Sequence, residues 1–323
     1  MSEVKRKRSD MFSKDEIARL TARSNAMGAL AVAFTWAVIG ASLALLALWP
    51  HPLMWLAVIV VLGGRQLSLA IMMHDASHGT LFNSRRMNEL VGDFLCGAPV
   101  GIELRHYRRH HLAHHAHTGT AADTDTSLSA PFPCTRASLA RKLLRDVTGI
   151  SGLKREFGLL LMGLGIIEWT VASDVVKLPQ QGRNWRHYAG DAVRNLWKPF
   201  AFHAMLLGGL ALAGYAWLYL AWLAAYLTTY SLYMRIRSMA EHACTTPGPD
   251  MLRNTRSTRA GLLARATVAP LRVNFHIEHH VLPAVPYFRL KDMHALLRQR
   301  ELVPPPPGYL DVLKLVSGMP AAA

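Results

Sequence analysis

Cysteine is scarce: Cys96, Cys134 and Cys244 are the only three in 323 residues, and they show no paired spacing. Reduced thiols follow, and any built-in rubredoxin or iron–sulfur module needing four cysteine ligands is excluded. Acidic residues are also few, 21 against 36 Lys and Arg, which leaves a net charge of +15. No repeat of fixed period occurs, and the only low-complexity segment is the four prolines from Pro304 to Pro307.

Against these absences, 51% of the chain is hydrophobic and its mean hydropathy is +0.16. A strongly basic chain with that much apolar content must alternate apolar runs with basic ones, the pattern of a multi-span membrane protein rather than a soluble globule. Met27 to Trp49 carries no formal charge and exceeds the roughly 20 residues a spanning helix needs. It is too long for a signal-peptide core and lacks an A-x-A-like cleavage site, so it reads as a retained span. Leu53 to Met73 is a second span, interrupted only by Arg65 and Gln66, and Pro50 to Pro52 is a tight turn between them. Further spans are expected at about 199–213 and 215–234, joined at Gly214, giving two helical hairpins.

Arg65 is the only Lys or Arg between Ser24 and Met73, and none lies between Pro199 and Met234. The positive-inside rule therefore puts the basic tail (residues 1–26) and the segments 74–198 and 235–323 on the cytoplasmic side, with both termini. The run Lys5-Arg6-Lys7-Arg8, next to a span, reads as an orientation signal or an anionic-headgroup contact rather than a nucleic-acid site. Phe157 to Ser173 is apolar but short and holds Glu168. If it crossed the membrane, the histidines near residue 280 would end up opposite those at 74–117 and could share no site with them, so it is expected to be interfacial or re-entrant unless a further crossing lies elsewhere.

Sixteen histidines stand out, and eight fall in three clusters. H-D-A-S-H sets His74 and His78 at i and i+4; H-L-A-H-H sets His111, His114 and His115 at i, i+3 and i+4; H-I-E-H-H repeats that spacing with His276, His279 and His280. On helices, each cluster crowds its imidazoles on one face. A closed tetrahedral zinc site uses at most four ligands, so eight argue for two metal ions. His242, at the end of the last apolar run, is a candidate ninth ligand.

Carboxylates at Asp123 and Asp125 either accept a ligand imidazole's second N–H or are solvated turn residues, and spacing leaves both readings open. Asp75, Glu241, Asn274 and Glu278 are further candidates for that supporting role. Arg65, about 13 Å deeper than His74 along one helix, is either a snorkelling or packing arginine or a contact to substrate or a buried carboxylate.

Imidazoles suit iron, zinc, copper or nickel. The setting narrows the choice: a two-metal centre at the inner surface of a membrane stem suits attack on a long apolar molecule. An unactivated C–H bond needs an oxidant, which iron with dioxygen supplies.

The three boxes, the last followed by L-P-A-V-P-Y-F-R-L, resemble those of the integral-membrane fatty acid desaturase and hydroxylase superfamily, H-x3-H, H-x2-H-H and H-x2-H-H. The resemblance covers roughly Gly64 to Leu297. It implies an all-α integral membrane fold, with four transmembrane helices in two hairpins under a cytosolic helical cap carrying a di-metal histidine site. The eight box histidines are then di-iron ligands and His242 the extra ligand on the last transmembrane helix. The cofactors implied are two iron ions cycling between Fe2+ and Fe3+, with O2 as co-substrate. The reaction implied removes two hydrogens from adjacent carbons of an acyl-lipid or lipid-like substrate. R-S-M-A-E-H, with N-T-R-S at Asn254 to Ser257, is similar to a bacterial subgroup of dihydrorhizobitoxine desaturase-like proteins and, more distantly, to sphingolipid desaturases. That likeness points to a bacterial inner membrane and also allows a small amino-acid-derived substrate.

The chain lacks the H-P-G-G of a fused cytochrome b5, so a separate electron donor is expected, an acidic ferredoxin-like carrier docking on the basic face. Hydroxylation or ketolation on the same scaffold remains open, since the boxes do not separate these outcomes. A histidine-rich metal transporter is a further reading, but it would put ligands along a pore, and the expected spans hold only His203. His106, His110 and His117 are surplus; a frame H-x3-H-H through His110 would resemble alkane hydroxylases, whereas His111 preserves H-x2-H-H. Of the others, His51 lies in the outer turn, His203 is expected to bond a neighbouring helix, and His187 and His294 have no companion at ligand spacing.

Overall fold

The computed structural model describes residues 8–169 and 175–318. Lys5 to Lys7 of the basic run and residues 170–173 of the ambiguous apolar stretch lie outside the described residues.

Helix α1 (Lys14–Leu20) starts at a capping box in which the Ser13 hydroxyl accepts from Glu16 N at 3.2 Å and Glu16 accepts from Ser13 N at 2.8 Å. Helices α2 (Asn25–Leu48) and α3 (Pro52–Ser77) form the first hairpin, and Pro52 occupies the first helical position, where its missing N–H costs nothing. Among the described residues, Lys14–Leu48 and Pro52–Ser77 are the two helical stretches long and apolar enough to cross a membrane.

The inner half of α3 is the pillar of the molecule: every residue from Leu62 to Ser77 is buried. Gly63 and Gly64 allow this. A Cβ on Gly63 would stand 2.1 Å from Thr229 Oγ1, and one on Gly64 would stand 2.2 Å from the Ala266 carbonyl oxygen. A side chain at either position would push α3 off its neighbours and displace the histidines at its end.

After α3, irregular helical turns over 85–100 end at Gly101, whose φ of 72° suits a residue without a Cβ. Asp93 there accepts from Leu104 N at 3.0 Å and pairs with Lys198 at 2.5 Å, while Lys198 also reaches Glu103 at 2.9 Å. These contacts fix the start of α4 (Leu104–His117) against the long helix that carries Lys198. Helices α5 (Arg136–Val147) and α6 (Ile150–Gly163) follow.

Within the stretch expected to be interfacial, α6 stops at Gly163 and the chain turns into a small antiparallel hairpin, β1 (Ile167–Trp169) with β2 (Val175–Lys177). The fold is mostly helical rather than all-α, because β-branched and aromatic residues there pair as strands.

The later apolar runs also depart from expectation. Residues 199–213 are the second half of α7 (Trp185–Leu212), which passes straight through Pro199. Residues 215–234 are two helices, α8 (Leu218–Leu227) and α9 (Thr229–His242), broken at Thr228. Thr228 and Thr229 bond the carbonyls of Ala224 and Ile59, the latter at 2.7 Å, and such side-chain bonds compete with the helix's own ladder. Three short helices close the chain: α10 (His276–Val281), α11 (Leu290–Gln299) and α12 (Tyr309–Val316). The N-terminal segment, read as a tail, packs as part of the body: Met11, Phe12 and Leu20 bury against Ile277, Val281, Met293 and Leu297 of α10 and α11.

Candidate metal centre

The ends of α3, α4, α9 and the whole of α10 meet at one point. The 3.6-residue period turns each box's imidazoles onto one face, and tertiary packing aims those faces at each other. His74, His78, His111, His115 and His279 each bring a ring nitrogen into one group whose atoms lie within 4.8 Å of one another. A second nest forms from His114, His242 and His280, and His276 joins it through His242. His276 Nε2 lies 2.8 Å from His242 Nε2 and 3.1 Å from His280 Nε2. All nine histidines singled out in the sequence are thus gathered, five in one nest and four in the other.

The donor chemistry fits cations. In the first nest His279 Nε2 stands 3.0 Å from His74 Nε2 and 2.9 Å from His115 Nε2, which is itself 3.1 Å from His111 Nε2. A neutral imidazole has one N–H, so these contacts cannot all be hydrogen bonds. With Asp75 and Asp123 as carboxylates, the His74 Nδ1–H donates to the first at 2.9 Å and the His114 Nδ1–H to the second at 2.6 Å, so both rings point a lone pair inward. The His280 Nδ1 meets the Thr118 hydroxyl at 3.3 Å, with the same result. His78 Nε2 is buried without a partner.

Electrostatics agree. Burial, reinforced by neighbouring imidazoles, drives His74, His111, His276, His279 and His280 well below the usual histidine range. Burial likewise lowers His78 to about 4, His115 to about 2 and His242 to about 3. Neutral rings are what a metal requires. Burial lowers His114 too, but Asp123 and Asp125 outweigh it and raise this ring. Burial also pushes Asp75 up to about 8 and Glu241 up to about 7, against the pull of Arg237. A cation among the rings would offset both costs.

The supporting residues divide. Asp75 and Asp123 touch clustered histidines as described. Glu241 lies 3.6 Å from His276 Nδ1 and is held by Arg237 at 2.8 Å. Asp125 instead holds the surplus His110 at 2.8 Å, with His114 Nδ1 farther off at 3.8 Å. Asn274 reaches no histidine: its side chain donates to the Thr258 carbonyl at 2.7 Å and pins the preceding loop under α10. Glu278 faces away from the nests, accepting from Ser257 Oγ at 2.5 Å and His294 Nδ1 at 2.6 Å. Arg65 donates to the Ala266 carbonyl at 2.9 Å, far from the nests. His203 bonds Tyr219 of α8 at 3.1 Å.

Sequence reasoning missed several partners. His294, which has no companion at ligand spacing, bonds Glu278. Tyr107 lies against His111, ring centroids 5.1 Å apart and 19° from parallel. Asn254 donates to the Thr118 carbonyl at 2.9 Å, tying the N-T-R-S segment to the end of α4. Tyr107 precedes His111 by one helical turn and was legible; the others bridge residues remote in sequence.

A model described as fatty acid desaturase matches residues 50–309. The chain is similar to a dihydrorhizobitoxine desaturase of Bradyrhizobium elkanii, 25% identical over 306 residues, which is 91% of this chain and 80% of that protein. It is also similar to a beta-carotene ketolase of a Paracoccus species, 33% identical over 91 residues, 26% of this chain and 38% of that one.

Proposed function

The chain belongs to the fatty acid desaturase family, and from that premise we propose that it is an O2-dependent, di-iron membrane desaturase introducing a C=C bond into an acyl-lipid or lipid-like substrate. The observation that carries this reading is the pair of adjoining nests, five histidines and four, with their lone pairs turned inward. His74, His78, His111, His115 and His279 would hold one iron, and His114, His242, His276 and His280 the other. The iron pair, when bound, supplies with dioxygen an oxidant strong enough for an unactivated C–H bond.

This chain's own residues do the rest. Asp75 and Asp123 fix the tautomers of His74 and His114, so that both present lone pairs. Six of the nine rings are buried, which keeps bulk water from the reacting carbon. Arg237 holds Glu241 beside His276 and balances its charge.

Four membrane spans at about 27–49, 53–73, 199–213 and 215–234 belong to the proposal, with the nests and both termini on the cytoplasmic side of a bacterial inner membrane. Support comes from the outward-facing Leu30, Phe34, Leu45 and Leu56 on the first hairpin and Phe200, Met205 and Leu212 on α7. A separate ferredoxin-like donor would supply electrons, drawn by the +15 charge.

A second reading, oxygen insertion to a hydroxyl or ketone, is favoured by the similarity to the ketolase. Expression in a host of defined lipid profile, with a His111→Ala control, separates the two by product mass. Loss of two hydrogens supports desaturation and gain of oxygen supports the second reading. No new product from lipids or polar metabolites, with iron, oxygen and a reductant supplied, rejects both.

A further inference from the structure

Away from the histidines, a cavity of about 340 Å³ opens between α2, α3 and the segment before α10. Its size falls within the range of small-molecule sites. Two arginines line it, Arg65 from α3 and Arg265 from the short turn of helix Leu262–Ala266. Among the described residues neither pairs with a carboxylate, and Arg65 spends one donor on the Ala266 carbonyl. Arginine is costly at membrane depth and is ordinarily paired with an acid; Arg65 is buried without a carboxylate partner and the exposed Arg265 faces the same space, which leaves that space suited to an anion.

The rest of the wall is apolar and open to the outside. Leu30 and Phe34 line the cavity and are 62% and 58% exposed on α2. Leu262 and Leu263, beside Arg265, are 85% and 76% exposed, as residues resting in lipid would be. At the inner end stands Tyr287, whose hydroxyl donates to the Met27 carbonyl at 3.0 Å.

We propose that the Arg65–Arg265 cavity binds the oxyanion end of a single-tailed or lipid amphiphile entering from the inner leaflet past Leu30 and Phe34. Arg65 and Arg265 clamp the anion, in the manner guanidinium groups recognise carboxylate and phosphate. That the occupant is the substrate rests on the desaturase reading above; the binding site itself does not.

The test is equilibrium binding to the purified full chain in neutral detergent at pH 8, using radiolabelled palmitate, hexadecanol and phosphatidylglycerol. Palmitate is expected to bind at least about tenfold more tightly than hexadecanol, a gap of about 1.4 kcal/mol. Arg265→Gln and Arg65→Gln should each erase that preference while hexadecanol binding and the circular dichroism spectrum stay unchanged. Arginine-dependent binding of palmitate alone identifies a free carboxylate as the ligand; the same dependence for phosphatidylglycerol identifies a lipid headgroup. Equal binding of acid and alcohol, or an anion preference that survives Arg265→Gln, overturns the proposal. Chelated protein should bind palmitate as well as the iron-loaded form does. Binding without any oxidised product would therefore count against the desaturase reading and leave this site standing.

Discussion

His115 and His280 stack with ring centroids 4.2 Å apart and planes 22° from parallel. His115 belongs to the nest of five and His280 to the nest of four. The two nests therefore share a wall of packed imidazole, and a change on one side is felt on the other.

His111→Ala should lower bound iron from about two per chain to about one or fewer, because the nest of five loses a ring fixed by Tyr107. His110→Ala should retain full iron, since that ring bonds Asp125 outside both nests. Elemental analysis of the two variants decides between the H-x2-H-H and H-x3-H-H frames. Equal losses would restore the second.

Asp123→Asn should weaken iron binding by roughly 10–100-fold. The amide cannot serve as the anionic acceptor for His114 Nδ1–H, now 2.6 Å from the carboxylate. Titration with a competing chelator reads the change, and unchanged affinity would remove Asp123 from the site's support.

Chelated protein should lose stability as pH falls. Eight of the nine histidines are lowered, so from pH 6.5 downward the unfolded chain takes up protons that the folded one refuses. The loss begins near 6.5, continues through about 4 where His78 titrates in the fold, and extends lower for the rest. Asp75, Glu241 and His114, raised in the fold, act in the opposite sense but are three against eight. Melting curves of chelated protein between pH 8 and 4 should fall in midpoint; a flat profile would mean the rings are not neutral in the fold.

Ser257→Ala should cost about 1–3 kcal/mol. The hydroxyl donates to one oxygen of fully buried Glu278 at 2.5 Å and accepts from Ile277 N at 3.0 Å; its removal leaves that oxygen and Ile277 N unpaired, while His294 keeps the other carboxylate oxygen. Thermal melting of the iron-loaded protein measures it, and no shift would show that water replaces the hydroxyl.

Gly64→Ala should destabilise by about 1–3 kcal/mol, since its Cβ meets backbone rather than a movable side chain. Gly208→Ala, in open space on α7, should be neutral or stabilising by up to about 1 kcal/mol. The difference between the two melting shifts tests whether α3 is held in place at its glycines.

The histidine spacing was legible because a helix's periodicity is local: His111, His114 and His115 must share a face whatever surrounds them. The first hairpin was legible for a similar reason, two long apolar runs that hold one charge between them, Arg65. The break at Thr228, the β1–β2 hairpin and the packing of Met11 and Phe12 on α11 were not. Each depends on partners elsewhere in the chain, such as the Ile59 carbonyl or Val281. Asp125 and Asn274 show the same limit: nearness in sequence put them beside a ligand, while their bonds go to His110 and Thr258.

By itself the sequence determined which histidines stand at ligand spacing and which of them share a helix face, because side-chain direction along a helix follows from residue number. Only the tertiary structure decided the partition. Of the second box, His111 and His115 join the first box and His279, while His114 turns to His242, His276 and His280. Residues three apart on one helix face point some 60° away from each other around the axis, and which neighbour each then meets is set by how α3, α9 and α10 pack around α4, a long-range contact that no local pattern encodes.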